Sequence, residues 1–166
     1  HYINLLGWGC YQADHEDANG QYEINWGYEN ALITSDRHSF FKFMVRSLAP
    51  EFGARATFMP KPFNHLTGNG CHCHVSCWSV NTGHNLFTDV NTKDFSRRFA
   101  DGLTTYAAEL SLLTNPSTNS YKRLHPARPQ SGASWTPATA SFGGNDRTVM
   151  VRVPDVDRLE TRLPDG

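Results

Sequence analysis

Lysine and arginine are missing from the first 36 residues, a stretch that holds six acids: Asp14, Glu16, Asp17, Glu23, Glu29 and Asp36. Over the whole chain 15 Lys and Arg stand against 16 Asp and Glu, a net charge of -1, which leaves no basic footprint for a nucleic acid or an acidic membrane. No run approaches the roughly 18 consecutive apolar residues that a membrane-spanning helix needs, and the opening residues lack the charged-then-apolar layout of a secretory signal. Cysteine is sparse, four in 166 residues, so a disulfide framework is not expected; reduced thiols and a cytoplasmic location are. What is present is enough apolar material for a folded domain, 39% of residues with 12% aromatic. The chain opens on His1 and runs straight into Tyr2-Ile3-Asn4-Leu5-Leu6, as if cut inside a domain.

The acidic beginning has a counterpart. From residue 121 onward Lys122, Arg123, Arg128, Arg147, Arg152, Arg158 and Arg162 outnumber five acids. Such asymmetry suits a site where cations and phosphates meet, although scattered surface charge produces it too.

Asn19-Gly20 predicts a hairpin over Tyr11 to Tyr28 with a two-residue turn, which pairs Glu16 with Glu23. Ser35 to Gly53 reads as a helix capped by Ser35 and closed by Gly53, with Phe41, Met44, Val45, Leu48 and Phe52 at helical spacing. Arg55 to Phe58 reads as a short strand, and Asn64 to Gly70 as a polar loop. Cys71 to Trp78 alternates with period two: Cys71, Cys73, Val75 and Cys77 share one face, expected buried, and His72, His74, Ser76 and Trp78 the other. A second helix is expected from Asp94 to Leu113, stopped by Asn115-Pro116, and two more strands at Thr148 to Val153 and Arg158 to Leu163. Strands and helices without a βαβ rhythm predict an α+β fold around an antiparallel sheet.

Three constellations stand out. Glu16 facing Glu23 brings like charges together, and a divalent cation held through oxygens would neutralise them, unless the acids splay into water. His72 and His74 share a strand face with Ser76. Zinc is a rival there, but alternation sends Cys71 and Cys73 to the opposite side from the imidazoles, and C-x₂₋₄-C spacing is absent. Glu160 and Arg162 stand two apart on one strand, either a carboxylate ligand beside an anion clamp or an ordinary surface pair. Arg123, Arg147, Arg152 and Arg158 carry the same ambiguity.

Four ordered segments carry a resemblance. They are Glu16 to Glu23; Ala56-Thr57-Phe58-Met59-Pro60-Lys61-Pro62 with Gly68-Asn69-Gly70-Cys71-His72-Cys73-His74; Asn115-Pro116 with Asn119-Ser120-Tyr121-Lys122-Arg123; and Arg158 to Asp165. Together they resemble the glutamine synthetase family. The wording from Tyr11 to Trp26, the long interval between Arg123 and Arg147, and Ser131-Gly132-Ala133-Ser134-Trp135 resemble its type III or glutamate-methylamine ligase branch.

The resemblance implies an ATP-dependent ligase that phosphorylates the γ-carboxylate of glutamate and lets ammonia or a small amine displace the phosphate. It implies two or three Mg²⁺ or Mn²⁺ ions, with Glu16, Glu23, His72 and Glu160 as metal ligands. His74, Ser76, Arg147, Arg152 and Arg158 match nucleotide- and phosphate-side positions. Gly68, Arg123 and Arg162 match glutamate-side positions, and Arg123 and Arg147 match residues of the transfer step. It further implies stacked homo-oligomeric rings with active sites between subunits. Residues 1–166 would be an incomplete catalytic domain, lacking the small N-terminal domain, the first metal-binding strand and the C-terminal part, and inactive alone. Two departures bear on chemistry: Leu124 to Thr136 contains no acid where the family presents a Glu that deprotonates ammonium, and Thr67-Gly68 replaces an Asn-Gly. A methylamine-type acceptor site, or one where another residue replaces the missing base, follows as the alternative, and an inactive structural relative as another.

Overall fold

The computed structural model describes residues 1–89, 94–124, 136–153 and 159–163, with the side chains of the last stretch described for 159–161. The chain divides into two compact units, His1–Phe58 and Met59–Gly166.

The first unit opens with α1 (Tyr2–Leu5), followed by an antiparallel pair of strands, β1 (Cys10–His15) and β2 (Tyr22–Trp26), and the long helix α2 (Ala31–Leu48). Asn30 caps α2 by accepting from the Ile33 N–H at 3.0 Å. The helix therefore starts ahead of Ser35, whose hydroxyl instead bonds back to the Ala31 carbonyl one turn earlier. A 3-10 turn, Ala49–Phe52, accommodates Pro50, and Gly53 ends it at a φ of 69°. Residues 55–58 form no strand. Aromatic contacts knit the unit, Trp8 to Trp26, Trp26 to Phe41 at 5.1 Å and Phe41 to Phe58 at 5.7 Å.

The hairpin differs from the two-residue turn. Asp14 opposes Glu23 and His15 opposes Tyr22. The Glu16 N–H then donates to the Gln21 carbonyl at 2.8 Å, closing a loop over residues 17–20. A type I′ turn needs positive φ at both central residues, and only Gly20 supplies it, at 74°. The Gln21 side chain also accepts from the buried Ala18 N–H, which draws that residue into the loop.

The second unit contains a four-stranded sheet in the order β3-β6-β5-β4, with β3 (Cys71–Val75), β4 (Phe142–Gly143), β5 (Val151–Arg152) and β6 (Leu159–Leu163). Pairings are antiparallel except β4 with β5, a two-residue parallel edge. The α+β class holds. The alternating strand is shorter than Cys71 to Trp78, ending at Val75, with Trp78 joined to Asn85 by an isolated bridge. The expected second helix breaks at Tyr106 into α3 (Phe95–Thr105) and α4 (Ala107–Thr114). Beyond Asn115-Pro116 a further short helix, α5 (Thr118–Leu124), forms. Ser117 and Ser120 cap it reciprocally, each hydroxyl accepting the other's N–H at 3.2 Å. The core is Ala100, Val151 and Leu159, with Phe87, Phe99, Leu103, Phe142, Met150 and Val153 packed around them.

Candidate functional site

Strand alternation decides which side chains meet on the sheet. On β6, Leu159 and Thr161 turn inward with Val151 of the neighbouring strand, so Glu160 emerges on the other face, beside His72 and His74 of β3. Glu160 is directly paired with His74 on one side and Arg152 on the other. Its carboxylate is almost fully buried, with a side-chain exposure of 5%. One oxygen, Oε1, lies 3.8 Å from His72 Nδ1; the other, Oε2, lies 3.8 Å from His74 Nε2 and 3.1 Å from Arg152 Nη2.

The 3.8 Å separations exceed a direct hydrogen bond. Adjacent donors at about 2.1 Å on an octahedral ion stand roughly 3 Å apart, so a shared small cation would draw these atoms closer together. An imidazole nitrogen and a carboxylate oxygen form a donor pair suited to Mn²⁺ or a similar ion. The residues fit the implied metal in that sense, although no group of three or more His, Cys, Asp and Glu is gathered among the described residues. Cys71 and Cys73 fall on the half-buried face and the two histidines on the exposed one, so a site using both pairs would have to break the strand.

Ser76, just past the end of β3, accepts a hydrogen bond from the Trp78 indole N–H at 3.0 Å. Arg162 is the backbone partner of His72. Arg147 is exposed on the turn that precedes β5. Arg158 and Arg128 lie outside the described residues, as does most of the acid-free stretch after Leu124.

Gly68 and Arg123 form another patch of the second unit. A Cβ on Gly68 would collide with the Arg123 side chain at Cδ and with the Pro60 carbonyl, so only glycine fits. Arg123 Nε donates to the Asn69 carbonyl at 3.0 Å. Lys61, buried nearby, has its ammonium pushed below the usual lysine range by burial first and by the Arg123 guanidinium second. Lys61 and Asn119 were not singled out as site residues by sequence reasoning, although both stand inside the motifs quoted above.

In the first unit, Glu16 does not face Glu23. Asp14 does, and Glu16 lies on the same face, two residues along and diagonal to Glu23. Three acids therefore share this face; the longer loop shifts the register by two, so that Asp14 and not Glu16 stands opposite Glu23. Gln12 bonds to Asp14, and the Asn25 amide donates to Glu23 Oε1 at 3.0 Å. Burial foremost, then the charges of Glu23, Asp14 and Asp17, hold the Glu16 carboxyl above its ordinary range. Positive charge brought to Glu16 would offset the repulsion from its acidic neighbours.

Residues 1–166 match the family model described as the glutamine synthetase catalytic domain. The chain belongs to the glutamine synthetase family. It is 55% identical over 170 residues to a glutamine synthetase of Rhizobium meliloti, covering 99% of this chain and 39% of that protein. It is 44% identical over 171 residues to a glutamate–methylamine ligase of Methyloversatilis universalis, covering 99% of this chain and 38% of the relative. Among solved structures, a chain of a GmaS–ADP complex superposes with a TM-score of 0.88 at 56% identity, over 99% of this chain and 39% of that one. The chain thus spans about two fifths of the length of the relatives it matches. Among the described residues no helix is long and apolar enough to cross a membrane.

Proposed function

We propose that this chain forms part of the catalytic domain of an ATP-dependent ligase that joins the γ-carboxylate of glutamate to ammonia through a γ-glutamyl phosphate. The observation that carries the reading is Glu160, a buried carboxylate with His72 and His74 at 3.8 Å from its two oxygens and Arg152 at 3.1 Å. Phosphoryl transfer depends on positioning and on neutralising phosphate charge, and such a cluster supplies anionic and neutral metal donors beside a fixed guanidinium.

In this reading His72 and Glu160 hold one divalent ion, Mg²⁺ or Mn²⁺, and Glu16 and Glu23, with Asp14 beside them, hold another. The ions, when bound, would offset negative charge on the transferring phosphoryl group. His74 and Ser76 contact the nucleotide, and Arg147, Arg152 and Arg158 its phosphates. Arg123, Arg162 and the Gly68 backbone bind glutamate, a planar guanidinium matching its carboxylates through two parallel hydrogen bonds. Arg123 and Arg147 also stabilise charge during transfer. Homo-oligomeric assembly, with sites completed by a neighbouring subunit, accompanies the reading.

The second acceptor reading, methylamine in place of ammonia, is favoured by the likeness to a glutamate–methylamine ligase. Leu124 to Thr136 holds no acid, and methylamine, like ammonia, is protonated near neutrality, so with either acceptor another group would take the proton. One experiment addresses both: turnover of full-length protein with glutamate, ATP and Mg²⁺ or Mn²⁺, comparing ammonia with methylamine and following phosphate release. Turnover with neither amine would refute the ligase reading, and clear preference for ammonia would remove the methylamine one.

A further inference from the structure

We propose that Asn119 is a positioning residue for glutamate, acting through its grip on the backbone of Lys61; the inference rests on the reading that Arg123 and Gly68 bind that substrate. Asn119 Oδ1 accepts from the Lys61 N–H at 2.6 Å, and Asn119 Nδ2 donates to the Lys61 carbonyl at 2.9 Å. Both residues are buried. A single side-chain amide thus makes the two bonds that a neighbouring strand would make to one residue of a ladder.

The segment it grips needs such a partner. Lys61 stands between Pro60 and Pro62, neither of which has an N–H, so its own N–H is the one donor that the tripeptide backbone offers. A strand cannot pair regularly with Pro-Lys-Pro, whereas one amide can satisfy the central residue completely.

From there a closed circuit runs to the substrate-side groups. Asn119 and Arg123 are four residues apart on α5 and lie one turn from each other on the same face. Arg123 Nε donates to the Asn69 carbonyl at 3.0 Å, and the Asn69 N–H donates to the Pro60 carbonyl at 2.8 Å, one residue from Lys61. The Asn69 side-chain amide adds a bond to the Met59 carbonyl at 2.8 Å. Inside the circuit lies Gly68, whose missing Cβ leaves the room that Arg123 and the Pro60 carbonyl occupy. α5 has seven residues, too few to hold its own orientation, so the Asn119 bonds fix where the Arg123 guanidinium stands relative to the Gly68 backbone.

Asparagine is the side chain that fits. Aspartate keeps the acceptor but sets a carboxylate oxygen against the Lys61 carbonyl, and alanine leaves a buried donor and acceptor unsatisfied. A displacement of Arg123 by about 1 Å would weaken substrate positioning by as much as ~10²-fold.

The test uses the full-length oligomeric enzyme with Asn119→Asp, Asn119→Ala and, as a separate control on the substrate reading, Arg123→Lys. We expect Asn119→Asp to raise the KM for glutamate about 10-fold, the loss of one buried hydrogen bond, with the KM for ATP within about twofold and an unchanged far-UV spectrum. Lowering the pH should recover part of the glutamate KM relative to wild type, because the substituted carboxyl, once protonated, can again donate to the Lys61 carbonyl. If Asn119→Ala fails to fold, the isosteric aspartate variant carries the comparison. An unchanged glutamate KM in folded Asn119→Asp, or equal rises for glutamate and ATP, overturns the inference while an effect of Arg123→Lys on glutamate keeps the substrate reading. An Arg123→Lys enzyme with wild-type glutamate KM overturns that reading, and this inference with it.

Discussion

Arg152 and Glu160 are directly paired residues of neighbouring strands, and their side chains meet at 3.1 Å with the carboxylate almost fully buried. The same carboxylate faces two imidazoles. A buried anion needs a compensating cation, and Arg152 supplies one from within the sheet.

Replacing Arg152 by methionine should therefore destabilise the metal-free full-length protein by up to ~3–5 kcal/mol, the cost of leaving a buried carboxylate unpaired. Mn²⁺ should return a larger share of that stability to Arg152→Met than it adds to wild type. Melting curves with and without Mn²⁺ read this out; equal gains in both proteins would mean that Arg152 and the ion do not share Glu160.

Glu16 carries a pH signature of opposite sense to a salt-bridged acid. Its pKa is raised in the folded state by burial and by neighbouring acids, so the native protein binds more protons there than the unfolded chain. The stability contributed is full below about pH 4.5 and is lost as pH rises through the raised value. Glu16→Gln should then raise the Tm of the metal-free protein near neutrality by about 1–3 °C, the scale of relieving one like-charge contact. The variant should also gain less than wild type from added Mg²⁺ or Mn²⁺ in differential scanning calorimetry.

Gly68 has no room for a methyl group. Gly68→Ala should cost about 1–3 kcal/mol in stability from overpacking and should raise the KM for glutamate more than that for ATP. Chemical denaturation and steady-state kinetics on the same preparation separate the two effects. Wild-type behaviour in both would show that Arg123 moves aside without consequence.

His38, on α2, is held below the ordinary imidazole range by burial and secondarily by Lys42 one turn on. The unfolded chain then binds more protons, so stability is full above about pH 6.5 and falls as pH drops through the window between the unfolded and the lower folded value. His38→Gln should flatten stability across that window. Urea midpoints at about pH 5 and about pH 7, compared between the two proteins, check it.

Local patterns that depend on one strand or one turn were legible. The alternation from Cys71 correctly set imidazoles on one face and thiols on the other, and Glu160 followed from the same rule on β6. Asn115-Pro116 stopped a helix where expected. Features set by side-chain to backbone bonds at a distance were not. Asn30 competes with Ser35 for the start of α2, and nothing in periodicity ranks the two. The hairpin register turned on whether Asn19 accepts a positive φ, which the Asn-Gly pair alone does not decide. The Lys61 to Asn119 contact spans 58 residues, beyond any local pattern, while Ser117-x-x-Ser120 was a readable capping signal for α5 that periodicity alone passed over.

The placement of Glu160 between Leu159 and Thr161, on a strand flanked by β3 and β5, also bears on how the chain finds its native arrangement. Sliding that strand by a single residue would drive a carboxylate into the apolar interior and strand two inward-facing side chains in water. The group proposed for chemistry thereby also disfavours odd-numbered misalignments of the sheet before a ligand arrives.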